Sequence, residues 1–191
     1  MPTEGPYHHG DLRRAVLDAA LVAIAEVGPS AVSLRDLARR AGVSHAAPAH
    51  HFGDKAGVLT AVAAEGYRLL ADALTAAHQG TGDFAEVGVA YVRFAIDHKA
   101  HFEVMFRPEL YHADTPAVRT AQDRAGQMLY GGVASLPEGQ PGPDPILAGA
   151  AAWSLVHGFA TLWLNGALPP RLREDPDDAA RSVARLLFRG P

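Results

Sequence analysis

Apolar positions recur along this chain at a helical period from near the N-terminus almost to the end. Leu12, Ala15, Val16, Ala19, Ala20, Val22, Ala23 and Val27 fall at mixed three- and four-residue intervals, the spacing of one helical face. The spacing predicts a helix over 12–27, capped by Asp11 and ended by Gly28-Pro29. Ser33 stands three residues before Asp36, a weaker relative of a capping box. Leu34, Leu37, Ala38 and Ala41 then share the inner face of a short second helix. Gly42 ends it, where a left-handed backbone costs glycine least.

The next stretch, SHAAPAHHFGD (44–54), is harder to read. Pro48 removes a backbone donor about one turn in, so a plain loop is one reading. The flanking apolar residues favour a helix of about two turns, with Ser44 as its cap and Phe52 as its buried anchor. A long helix follows from Lys55 to about Ala77, carrying Val58, Leu59, Val62, Tyr67, Leu69 and Leu70. Gln79–Asp83 reads as a loop and as the place where packing divides. Further helices are expected over 84–99, from Thr115-Pro116 through Met128, over 146–168 and over 177–188, with HFEVMFRPEL broken at Pro108 and 136–145 a loop. The 146–168 stretch is apolar almost all round, which predicts burial on several sides. No repeat and no alternating strand pattern occurs. The expected class is all-α: an N-terminal three-helix helix-turn-helix domain (residues 1–55) and a larger helical ligand-binding and dimerisation domain (56–191).

Composition narrows the function. A chain of 191 residues, 48% hydrophobic, can bury one sizeable core or two small ones. No apolar run reads as long enough to span a bilayer, no secretory h-region opens the chain, and Cys is absent. A cytoplasmic protein with no membrane partner is expected. The net charge of -4 argues weakly against nucleic acid, but His8, His9, His45, His50 and His51 cluster early while Glu174, Asp175, Asp177 and Asp178 gather late. An anion-binding surface must therefore be local and lie in the first third of the chain.

Two short helices joined by a Gly turn form a helix-turn-helix, whose second helix is pushed outward. Such a helix fits a DNA major groove about 12 Å wide. Ala46 and Ala47 would let the backbone approach; His45, His50 and His51 can donate to phosphates or bases. Ser33, Ser44 and the start of the Lys55 helix offer hydroxyls and free N–H groups. Arg35 and Arg39 lie on the second helix; Arg39 touches phosphate or simply forms a solvated face.

YHHGDLRRAVLDAALVAIAEVG followed by SLRDLARRAGVSHAAPAHHFGDKAGVL resembles the N-terminal DNA-binding domain of TetR-family transcriptional repressors over residues 7 to about 60. AAWSLVHGFATLWLNG (151–166) resembles the Trp-His-Gly segment of one branch of that family's ligand domains. The resemblance implies a homodimer on palindromic operator DNA, released by a small-molecule effector. By position, Ser33 matches the residue that caps the second helix and touches phosphate. Ser44, His45, Ala46 and Ala47 match the start of the recognition helix, and His51 and Lys55 the phosphate-contacting His and Lys. Pro48-Ala49 departs from the pattern, where many relatives carry an apolar residue and a Tyr. Binding more sensitive to salt and pH is expected, because a His contact strengthens only when protonated.

Tyr91, Phe94, His98, Phe102, Met105, Phe106, Met128, Trp153, His157 and Trp163 are the candidate effector-pocket residues, although aromatic stripes are more often core. His98, His101, His112 and His157 have no Cys or matching carboxylate beside them, so no metal site and no cofactor are expected. No nucleophile motif, Walker loop or dinucleotide fingerprint is present, and no catalytic residue is assigned. Two other readings remain: a helical small-molecule-binding protein with weakened or vestigial DNA binding, and an effector-independent DNA-binding dimer.

Overall fold

The computed structural model describes residues 9–81, 83–134 and 144–186, and every regular element among them is helical. The helices are α1 (His9–Val27), α2 (Leu34–Ala41), α3 (Ala47–Phe52), α4 (Lys55–Thr81), α5 (Phe84–Asp97), α6 (Lys99–Met105), α7 (Pro116–Ala134), α8 (Pro145–Leu164) and α9 (Pro176–Leu186). The chain packs as two units: residues up to 66 with 100–118, and residues 67–99 with 119 onward. The expected functional division at residue 55 falls inside the first unit.

In the first unit, α1 lays its apolar stripe over α2 and α3. Val16, Ala20, Ala23 and Ile24 are buried with Leu37, Ala38, Val58, Leu59, Val104 and Met105. Each large aliphatic side chain removed from water in this way contributes about 1.5–3 kcal/mol. Arg14 Nη1 on α1 donates to both oxygens of Glu65 on α4, at 2.9 and 2.8 Å, and His101 Nε2 on α6 lies 3.6 Å from the same carboxylate. After α6, Tyr111 donates to the Met105 carbonyl at 2.8 Å, and the His112 amide donates to Thr60 Oγ1 at 3.0 Å.

In the second unit, α5 packs against both α8 and α9. Gly88 permits this: a Cβ there would stand 3.2 Å from Val156 and 3.4 Å from Ala184. Asp175 caps α9 by accepting from the amides of Asp177 and Asp178, and these bonds hold its carboxyl below the usual range. Arg181 on α9 clasps Glu86 on α5 at 2.6 and 3.1 Å and holds that carboxyl low as well.

Several expectations need correction. α1 begins at His9, so Asp11 lies inside the helix rather than capping it. Gln79, Gly80 and Thr81 continue α4 instead of forming a loop; the break comes where Asp83 caps α5. α8 is not buried all round: Ile146 and Leu147 are 74% and 68% exposed. It is also long and apolar enough to cross a membrane by length and composition, with a mean hydropathy of 1.4, contrary to the sequence reading. Here it packs on α5 and α9. His8 of the early histidine cluster, residues 136–143 of the expected loop and the last two residues of the expected 177–188 helix lie outside the described residues.

Candidate nucleic-acid interface

The α2–α3 hairpin is built from local signals. Ser33 Oγ accepts from the Asp36 amide at 3.3 Å and starts α2. Gly42 stops it with φ 66°, and the Val43 amide closes the end on the Ala38 carbonyl at 3.0 Å. Ser44 does not cap α3 with its side chain. Its carbonyl accepts from the Ala47 amide at 3.0 Å in a turn, and Ala46 holds the cap position. Pro48 therefore falls in the first turn, where its missing N–H has no intrahelical partner to lose.

Ala47 and Pro48 face inward and are buried. This corrects the expectation that Ala47 would line the outer surface. Phe52 is only half-buried, with the Arg13 guanidinium 5.0 Å from its ring centroid, so the expected buried anchor is a cation–π contact at the rim. Ser44, His45, Ala46, Ala49 and His50 remain exposed, and His51 is half-exposed with its ring packed edge-on to that of His50, 5.2 Å between centroids.

Beside α3, Ser33, Arg35, Asp36, Arg39 and His45 line one open concavity. Arg39 and Arg40 reach Asp36 at 2.6 and 2.5 Å, and Arg40 also reaches Glu26 at 2.7 Å. Asp36 is held well below the usual carboxylate range, first by Arg40 and then by Arg39. The acid is thus neutralised in place, and residues 33–55 carry a net charge of +2 against -4 for the chain. Lys55 donates to the Ser30 carbonyl at 2.5 Å, and Arg107 donates to the Ser30 hydroxyl at 3.1 Å. A thin helix with exposed small residues beside a locally basic surface has the dimensions and charge to enter a major groove.

Bacterial regulatory proteins of the tetR family match residues 16–62, and a tetracyclin repressor-like C-terminal domain matches 84–187. The chain belongs to the TetR family. The HTH-type transcriptional regulator BetI of Escherichia coli is 30% identical over 187 residues, covering 91% of this chain and 90% of BetI. A Rhodococcus sp. RHA1 protein of unknown function superposes with a TM-score of 0.80 at 33% identity, covering 98% of each chain. NalD, the secondary repressor of the MexAB-OprM multidrug efflux pump in Pseudomonas aeruginosa, gives 0.64 at 27% identity over 95% of this chain and 96% of NalD.

The candidate effector residues of this TetR-family regulator are divided between the two units. Phe102, Met105 and Phe106 belong to the first unit, where Phe102 and Phe106 pack edge-on at 5.0 Å. Tyr91, Phe94, His98, Met128, Trp153, His157 and Trp163 belong to the second. There Tyr91 is fully buried, and Trp153 Nε1 donates to its hydroxyl at 3.2 Å while that hydroxyl lies 2.9 Å from His157 Nδ1. The Tyr91 hydroxyl thus joins the two half-buried rings, accepting from the indole and pairing with the imidazole. Burial lowers the His157 pKa and raises that of Tyr91, so both groups stay neutral near pH 7. Sequence spacing linked Trp153 to His157 but missed Tyr91 as their shared partner, because the bond crosses from α8 to α5. His98 ends α5 and stacks on Phe94 at 5.1 Å; Trp163 stacks on Phe159 at 6.1 Å. A void of about 10 Å³ lies elsewhere in this unit, among Phe84, Val87, Gly88, Leu129, Ala152, Val156 and Ala184. Among the described residues no three His, Asp or Glu side chains converge as metal ligands would.

Proposed function

We propose that this TetR-family protein is a cytoplasmic, ligand-responsive repressor. It binds palindromic operator DNA as a homodimer and leaves it when a small-molecule effector binds. The observation that carries the reading is the orientation of α3: its apolar side, Ala47 and Pro48, is buried, and its small and His-bearing side is presented outward. In this proposal His45 and His50 meet base edges or phosphates, and Ala46 allows close approach. Ser33, Arg35, Arg39, Ser44 and His51 contact phosphates. Lys55 joins them by exchanging its Ser30 partner. Ala47 contributes spacing, not contact.

Homodimerisation is proposed through α8 and α9. Ile146, Leu147, Leu162 and Leu186 expose apolar surface there, at 74%, 68%, 46% and 66%. Two copies related by a two-fold axis would present recognition helices about 34–36 Å apart, or a multiple of that. Effector binding is assigned to the 56–191 part, with the Tyr91–His157–Trp153 group as its polar feature. The repressor function named for NalD supports the same direction of control.

A gel-shift titration tests the proposal, using the duplex immediately upstream of the protein's own coding region at low salt. A discrete shifted band that survives excess scrambled competitor is expected. Absence of any shift on that duplex and on a randomised pool would favour the small-molecule-binding alternative.

A further inference from the structure

We propose that Gly57 is a positioning residue for DNA reading: it keeps open the corner between α3 and α4, and so fixes where the recognition helix lies. The inference rests on the reading of α3 as the DNA-reading helix.

Gly57 occupies the first turn of α4 and has the ordinary helical backbone, so no special dihedral demands glycine. The demand is steric. A Cβ at this position would stand 1.8 Å from the Phe52 carbonyl oxygen and 2.9 Å from its carbon. Both are backbone atoms of the last residue of α3, so no rotamer change relieves the overlap. Restoring an ordinary contact of 3.4 Å requires the backbone to move by roughly 1.6 Å. Gly66, further along α4, differs: the nearest atom to its virtual Cβ is Met105 Sδ at 2.6 Å, the flexible end of a side chain.

The corner is tied from both sides. Asp54 Oδ1 accepts from the Gly57 amide at 2.7 Å and holds the start of α4. The Gly53 amide donates to the Ala49 carbonyl at 2.8 Å and closes α3. α3 has only six residues, too few to persist without packing. Displacing the Phe52 carbonyl must therefore move or loosen His50, His51 and the exposed edge at Ala46 and Ala49. Base readout depends on hydrogen bonds that fail beyond a few tenths of an ångström, whereas nonspecific binding depends on charge. The expected signature is lost sequence preference with retained nonspecific affinity.

Helix propensity makes the sign informative. Alanine is a better helix former than glycine, so in an unobstructed first turn Gly57→Ala would stabilise the protein. At an obstructed corner it would not.

The test compares full-length Gly57→Ala with the unaltered chain by amide exchange and by duplex binding. The duplexes are one selected from a randomised pool by the unaltered chain and a scrambled duplex of the same composition. The expected result is exchange of the 47–53 amides at least about tenfold faster, affinity for the selected duplex reduced at least about tenfold, scrambled-duplex affinity within about twofold, and no rise in Tm. Unchanged exchange over 47–53, or a raised Tm with unchanged preference, overturns the proposal. Equal loss on both duplexes also overturns it, because that marks general destabilisation. If the unaltered chain selects no duplex, the repressor reading fails, while faster exchange over 47–53 still upholds the corner and unchanged exchange still overturns it. If Gly57→Ala does not fold, a crystal structure of the unaltered chain decides: Phe52 O within contact of Gly57 Cα, about 3.3–3.6 Å, supports the proposal, and a clear gap there refutes it.

Discussion

Replacing Tyr91 by Phe removes one oxygen from the middle of the second unit and leaves the ring in place. That oxygen is fully buried with its residue; it accepts from Trp153 at 3.2 Å and faces His157 Nδ1 at 2.9 Å. Two hydrogen bonds at about 1 kcal/mol each set the base loss. The indole N–H and the imidazole nitrogen would then face a ring edge, at an added cost of up to about 1–3 kcal/mol for fully buried groups. Trp153 and His157 are only half-buried, so water recovers much of that added cost. The net expectation is about 2 kcal/mol, which for a chain of this size lowers Tm by about 4–8 °C. Thermal unfolding followed by circular dichroism at pH 7.5 measures it. A shift below about 1 °C would refute the bonding arrangement. An equal shift in a Trp153→Phe, Tyr91→Phe double variant relative to Trp153→Phe alone would show that the hydroxyl and indole do not couple.

Three further outcomes follow from the same geometry. The His157 pKa is depressed by burial, so its contribution to stability is complete above the usual histidine range and is lost as pH falls through the lowered folded value; His157→Gln should flatten the Tm-against-pH curve below about pH 6.5, and an unchanged acid slope would contradict the assignment. Ser33→Ala removes the cap of α2 and should cost about 1 kcal/mol, with faster amide exchange at Asp36; equal exchange in both chains would show that the cap is not formed in solution. Arg35→Ala should weaken binding to selected and scrambled duplexes alike and lower the slope of log affinity against log salt by about 1; an unchanged slope would remove Arg35 from the phosphate contacts.

The fold was legible where a local signal decides local structure. The Ser33 cap, the Gly42 stop and the burial of Leu37 and Ala38 on α2 each depend on residues within one or two turns, and each appears as read. On α1, by contrast, Val22 and Val27 are exposed, and Leu17 and Ile24 take the buried face with Val16, Ala20 and Ala23. Errors came where the deciding contact is distant or a competing signal is weak. Gln79-Gly-Thr resembles a loop, but the long α4 continues through it until Asp83 offers a cap. Phe52 resembles a core anchor, but Arg13 from another helix takes one face of its ring. Pro48 looked disruptive because the start of α3 was placed at Ser44; with the start at Ala47 it falls among free N–H positions. Tyr91 could not be joined to His157 by spacing, since 66 residues separate them. Gly57 carried a faint signal, a glycine where a helix has no need of one, and only the position of the Phe52 carbonyl gives it meaning.

Selection from a randomised duplex pool by the full-length chain, followed by the mass of the purified complex, bears most directly on the central claim that an outward α3 reads DNA from a two-fold dimer. The account predicts an enriched sequence with inverted half-sites, spaced by one helical turn of 10–10.5 base pairs or a multiple, an even number of chains per duplex, and loss of enrichment when His45 and His50 are replaced by Ala. A pool that emerges unenriched, or a non-palindromic site occupied by a single chain, would contradict it.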